Sequence, residues 1–147
     1  MRLHTSIASI GAAAALATTG AFLLPAAAST RPVTHTLKFT SVQQATAKFS
    51  KTTGGAEDKD VSKAGKVIGY DVLRFFFNPK TQTASIGVAV DTKGGLLYGV
   101  LRESRGPVSR GKVTGGTGSF HGVTGTITAK SLNKNGSKTA VTITYHR

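Results

Sequence analysis

The stretch Gly111-Lys-Val-Thr-Gly-Gly-Thr-Gly-Ser-Phe-His-Gly-Val-Thr-Gly-Thr-Ile-Thr-Ala-Lys130 decides the fold. Six of its twenty residues are glycine, and they lie between two short runs that alternate apolar and polar side chains. Alternation with period two marks strands that bury one face. A glycine cluster between two such runs reads as a hairpin with a tight, backbone-exposing turn. It is not a phosphate loop. Gly111-Lys112 is followed by Val113 rather than Ser or Thr, His121 holds the third glycine position after Gly116 and Gly118, and no helical period follows. The glycines instead suit a sharp corner in a sheet.

Working outward, the same period recurs. Leu37 and Phe39 alternate with Thr36, Lys38 and Thr40; the run continues unevenly to Val42 and returns at Ala47 to Phe49. Ser50 to Gly65 is polar, holds Gly54-Gly55 and the cluster Glu57-Asp58-Lys59-Asp60, and reads as a loop. Lys66 to Phe77 is the longest apolar run after residue 28. Ile68, Tyr70, Val72, Arg74 and Phe76 share one face, and Val67, Gly69, Asp71, Leu73, Phe75 and Phe77 the other. Both faces are mostly apolar, so this strand is expected to be covered on both sides. Asn78-Pro79-Lys80-Thr81 makes a turn. Ala84, Ile86, Val88 and Val90 alternate along the next strand, Lys93-Gly94-Gly95 turns it back, and Leu96 to Glu103 returns. Asn133-Lys134-Asn135-Gly136 precedes a last alternating run, Lys138 to His146. About seven strands can be counted at the spacing of a β-sandwich or barrel, with no 3.6-residue period among them.

The first 28 residues read as a cleaved secretory signal peptide: Arg2, an uncharged apolar run from Ile7 to Leu24, then Ala26-Ala27-Ala28. Residues 29–36 read as a flexible leader broken by Pro32, and residues 37–147 as one domain. Secretion to the extracellular space is therefore expected, with no integral membrane span after cleavage. The chain has no cysteine, so disulfides, thiolate metal sites and cysteine nucleophiles are excluded. A closed barrel offers stability without disulfides because it leaves no unpaired strand edge. The net charge is +13, which draws such a protein to anionic surfaces. The lysines and arginines are scattered, and no nucleic-acid-binding motif accompanies them, so no specific nucleic acid is expected.

Val113-Thr-Gly-Gly-Thr-Gly-Ser-Phe-His-Gly-Val-Thr-Gly-Thr-Ile127 resembles the GGTG-x-F/Y-x-x-A-x-G signature of dirigent proteins and of allene-oxide-cyclase-like barrels, with Gly115, Gly116, Thr117, Gly118, Phe120 and Gly125 matching. Val61-Ser62 to Gly65, followed by Gly69-Tyr70-Asp71, is similar to a second family segment. The resemblance spans about Leu37 to Tyr145. It implies an eight-stranded antiparallel β-barrel, often a homotrimer, that holds a small hydrophobic molecule or a reactive intermediate in its lumen. Cyclase-like, isomerase-like or dirigent-like activity would then follow from the shape of the cavity. Dirigent signatures carry an arginine shortly after the phenylalanine; here His121-Gly122-Val123-Thr124 stands in that place.

No nucleophile elbow, triad or metal-ligand spacing is present, and no cofactor or metal is expected. The candidate catalytic residues are Asp71, Arg74, Tyr98 and Glu103, polar groups in otherwise apolar strands. Asp71 and Arg74 differ in parity, so at most one of them faces a lumen. The candidate ligand-binding residues are Tyr70, Phe75, Ile86, Val88, Tyr98 and Arg102, and Asp60 is a further polar group within reach of a cavity. The alternative is a non-catalytic basic secreted protein that binds anionic cell-envelope polymers.

Overall fold

The computed structural model describes residues 32–103 and 106–147. The expected signal segment lies outside the described residues. Eight strands form a closed antiparallel barrel: β1 (Thr34–Lys48), β2 (Thr53–Val61), β3 (Val67–Asn78), β4 (Thr83–Thr92), β5 (Gly95–Glu103), β6 (Val108–Gly116), β7 (Thr124–Ser131) and β8 (Lys138–His146). Each pairs with the next, and β8 closes on β1 through a ladder from Thr34↔His146 to Val42↔Lys138. The first strand thus begins inside the expected leader, because β8 is long enough to pair with Thr34. Among the described residues, no helix is long and apolar enough to cross a membrane.

The segment expected to be a loop, Ser50 to Gly65, contains β2. Its ladders run from Thr40↔Val61 to Lys48↔Gly54 on one side and from Thr53↔Phe76 to Val61↔Val67 on the other. It lacks apolar alternation because its inward positions are Gly54, Ala56, Asp58 and Asp60, all of them buried. This missed element brings the seven strands counted in the sequence to eight. The uneven run between Val42 and Ala47 is one continuous strand with a bulge. The register with β2 slips by one residue between Gln43 and Ala45, which reverses the inside and outside positions beyond it.

The core is the barrel interior. Phe39, Val90, Leu97, Leu101, Val113, Phe120, Val123, Ile127 and Ile143 form one buried cluster. Burial of this kind contributes roughly 1.5–3 kcal/mol per large apolar side chain. The glycine-rich segment closes one end. Gly118–Phe120 forms a single 3-10 turn between β6 and β7 and tucks Phe120 inside, edge-on to Tyr145 at 5.5 Å. The Leu96 N–H donates to Thr117 Oγ1 at 3.0 Å, and the Ser119 N–H donates to the Gly94 carbonyl at 2.7 Å. The segment therefore fastens the β4–β5 turn beneath the plug. Gly116 is required by close approach: a Cβ there would collide with the Leu96 carbonyl and meet Phe120 Cβ at 2.5 Å.

The outer face of β3 departs from expectation. Ile68, Tyr70, Val72 and Phe76 are 40–60% exposed. Only the inward face of β3 is covered, because one barrel has no layer outside its wall. The 5.0 Å approach of the Arg74 guanidinium to the Phe76 ring is the notable contact on this face.

Candidate functional site: an acid-floored lumen

Strand parity builds the site. On β4 the even residues Ile86, Val88 and Val90 point inward; on β3 the odd residues Asp71 and Leu73 do so; on β5 Leu101 and Glu103 do so. Phe39, Ile127, Val141 and Ile143 come from β1, β7 and β8. Together they enclose a cavity of about 240 Å³. An eight-stranded barrel leaves room for side chains or for one small ligand. Gln43, Glu103, Ser109, Ser131 and Thr139 form a polar collar at the end where β7 turns into β8 at Gly136. Leu97, Val113, Phe120 and Val123 fill the opposite end and do not line the cavity.

Two carboxyl groups line this lumen below the collar. Asp58 and Asp71 are directly opposed across the β2–β3 ladder and are 6% and 3% exposed. Ser41 Oγ donates to Asp58 Oδ2 at 2.6 Å. The second oxygen of Asp58 and Oδ1 of Asp71 are buried without a partner, as are both oxygens of Asp60. Asp60 lies two residues along β2 on the same face, is 1% exposed and does not line the cavity. Three acids thus cluster on the buried side of β2 and β3, with no cation among the described residues that line the lumen.

Their protonation follows. Burial pushes the Asp60 carboxyl up to about 8, and the neighbouring Asp71 and Asp58 charges add to the rise. Burial likewise lifts Asp71 to about 6, tempered by its polar neighbours Asp60 and Ser41. Asp58 is raised by burial and held back by the Ser41 hydroxyl. Because the groups interact, their protons belong to the cluster as a whole. Near neutral pH the cluster retains protons that an exposed aspartate would lose. The cluster therefore keeps a shared proton close to the carboxylate acceptors that face the lumen.

The other candidates are dispersed. Ile86, Val88 and Glu103 line the cavity beside Asp71. Phe75 points to the inner side but borders a shallower depression at the β1–β2 hairpin, with Lys48, Thr53 and Phe77. Tyr70, Arg74, Tyr98 and Arg102 alternate to the outside: all four are exposed, and none lines the lumen. A lumen position for Tyr98 fails on parity, since its neighbours Leu97 and Gly99 are the buried ones. His121 is exposed in the turn of the closed end. Ser41 and Asp58 join the site without being among the candidates that the sequence offers. The signal for Asp58 was present in the i, i+2 carboxylates Asp58 and Asp60, which share a face only if the segment is a strand. Among the described residues, no group of three His, Cys, Asp or Glu side chains is arranged to hold a metal ion.

A barrel with an apolar lumen and a polar pair on its wall is a ligand-binding architecture. Comparison with known proteins places the fold among dirigent-like barrels. No protein-family model matches the chain, and no curated protein matches it. Solved structures do. A pyocyanin demethylase is 19% identical with a TM-score of 0.64, covering 76% of this chain and 99% of its own. A pterocarpan synthase dirigent protein is 15% identical with a TM-score of 0.66, covering 79% of this chain and 89% of its own. An exo-specific intermolecular Diels-Alderase is 11% identical with a TM-score of 0.62, covering 80% and 98%. At these identities the likeness is one of fold: this chain has a dirigent-like, allene-oxide-cyclase-like barrel.

Proposed function

We propose that this chain is a secreted barrel protein that holds a small apolar molecule, or a reactive intermediate, in its lumen, with the Asp58–Asp71 pair as proton donor and hydrogen-bond partner. The observation that carries this reading is the cavity itself. Its apolar walls surround two buried carboxyls that each keep a free oxygen. Such a site supplies shape, apolar surroundings and acid–base groups. Those are the means by which a pocket steers cyclisation or coupling of an already reactive molecule. The matching barrels are named for reactions of small organic molecules, which supports a lumen ligand here.

The test is titration with a fluorescent apolar probe, 1-aminoanthracene, against the wild type and Val88→Phe. Val88 lines the cavity, and a phenyl ring in its place fills the lumen. Saturable binding that Val88→Phe removes is the expected result. Absent binding, or binding unchanged in the variant, overturns the reading.

A second reading concerns the exterior. Asp58, Asp60 and Asp71, three of the six carboxylates, are buried in the barrel, so the outer surface is richer in positive charge than the sequence total suggests. This favours attraction to anionic envelope polymers alongside lumen binding. Retention on a polyanion that weakens steeply with salt is the expected behaviour; retention independent of salt refutes it. The exposed apolar face of β3 and β5 favours assembly of barrels into a homotrimer, as in the family that the sequence resembles.

A further inference from the structure

Charge is sorted between the inside and the outside of this barrel. The sequence has nineteen Lys and Arg against six Asp and Glu. Yet among the described residues that line the lumen there is no Lys, Arg or His, while Asp58, Asp71 and the collar residue Glu103 are present. Asp60 lies behind them. From β1 the group facing the pair is Ser41; from β2 it is Asp60; from β4, β7 and β8 the lining is Ile86, Val88, Val90, Ile127, Ala129, Val141 and Ile143 with the collar hydroxyls. Nothing in the lumen neutralises a carboxylate there. A buried acid without a counter-charge is costly when ionised and is relieved when a cation arrives.

We propose that the lumen ligand is a hydrophobic organic base, an apolar skeleton with one protonatable nitrogen, bound as its conjugate acid with the N–H donating to the Asp58–Asp71 pair. This rests on the lumen-binding reading above and names the ligand class for it. The apolar walls take the skeleton, and the free oxygens of Asp58 and Asp71 take the N–H. Proton balance is simple. A base that enters neutral takes one proton from the acid cluster and leaves one carboxylate beside one ammonium-type N–H. A base that enters protonated expels one proton from the cluster to solvent. The exterior works against this preference, because a chain of net charge +13 repels cations. A cation preference therefore reports the lumen and not the surface.

The experiment compares two probes of one shape by calorimetric titration at pH 7. 4-Aminoquinoline is a cation at this pH; 1-naphthylamine has the same two rings and amino group but stays neutral. Wild-type protein is expected to bind the aminoquinoline at least about tenfold tighter. Its binding releases protons, seen as a heat that changes with the ionisation enthalpy of the buffer. Asp71→Asn is expected to narrow the preference towards unity, and Asp58→Asn provides the same reading if the first variant does not fold. Equal or weaker binding of the aminoquinoline in the wild type overturns the proposal while leaving lumen binding standing. Failure of both probes removes lumen binding and this proposal together.

Discussion

Asp58 and Asp71 face each other across the β2–β3 ladder, each buried on the lumen side and each with one oxygen unpartnered. Directly opposed residues in an antiparallel pair bring their Cβ atoms to about 4.5–5.5 Å, where like charges repel. Ser41 satisfies one oxygen of Asp58 and leaves the rest to shared protons or to a ligand. The site is thus defined by a deficit of counter-charge, built into the wall by strand parity.

That deficit sets a titration. Asp71 is lifted to about 6 by burial, so its carboxyl carries a proton at pH 5 and loses it on the way to pH 8. The protonated-carboxyl C=O stretch in the infrared difference spectrum is expected to persist above pH 5, well beyond the range of exposed aspartates. Its amplitude should fall in Asp71→Asn. A spectrum with no protonated carboxyl left at pH 5 contradicts the desolvated cluster.

Stability should fall as pH rises. Asp60 is raised from 3.8 to about 8, so between these values the unfolded chain has released a proton that the barrel retains. The unfolded state then binds fewer protons, and the slope of unfolding free energy with pH is negative. The barrel is expected to be most stable near pH 4–5 and to lose stability towards pH 8. Asp60→Asn keeps the shape and removes the titration. It removes the cost of ionising a buried carboxyl, so the loss of stability between pH 5 and pH 8 should shrink and the pH profile flatten. Thermal melts at pH 5 and pH 8 decide it; a wild-type Tm that rises over this interval is the contrary result.

How far the sequence reveals this is uneven, and the reason is physical. β4 and β5 were legible because Ile86, Val88, Val90, Leu97 and Leu101 bury apolar groups at period two. β2 was not, because a strand whose inward residues are Gly54, Ala56, Asp58 and Asp60 has no hydrophobic alternation to display. The acids on the lumen wall are what erased the signal: a strand with a polar inner face looks like a loop in one dimension. On β3 the opposite error arose, since the apolar outward residues Tyr70, Val72 and Phe76 imitate burial that a single barrel does not supply. Asp71 stood out because its neighbours are apolar, whereas Ser41 becomes visible only through its bond to a residue on another strand.

The GGTG segment serves the plug. Its glycines separate into two physical kinds, and substitution should tell them apart. Gly116 has no space for a Cβ, which would strike the Leu96 carbonyl and Phe120. Gly122 has φ of 72° with open space around it. Gly122→Ala should cost only about 1 kcal/mol, the strain of a left-handed alanine. Gly116→Ala must shift the strand or expel Phe120 and should cost about 2–4 kcal/mol, the range for overpacking combined with a partly lost aromatic. Denaturant unfolding of the two variants gives the comparison; equal midpoints would mean that Phe120 is not seated by Gly116.

The outer wall leads to the last prediction. Val72, Ala89 and Tyr98 align in register across β3, β4 and β5, and Arg74, Gly87 and Val100 form the next row. Tyr70, Val72, Phe76, Tyr98 and Val100 are 37–60% exposed, with the small residues Ala89 and Gly87 leaving the middle of the face shallow. Of the three carboxylates outside the buried cluster, two border this face: Glu57 opposite Val72 and Asp91 opposite Tyr70. An apolar centre edged by acids on a basic protein is complementary to basic strands of another copy. The barrel is therefore expected to associate in solution through this face. Val72→Lys places a hydrated charge, costly to bury, at its centre and should shift the mass measured by light scattering to that of a monomer, with the barrel's circular dichroism unchanged. A wild type that is monomeric at tens of micromolar, or an assembly that Val72→Lys leaves intact, would place the contact elsewhere or remove it.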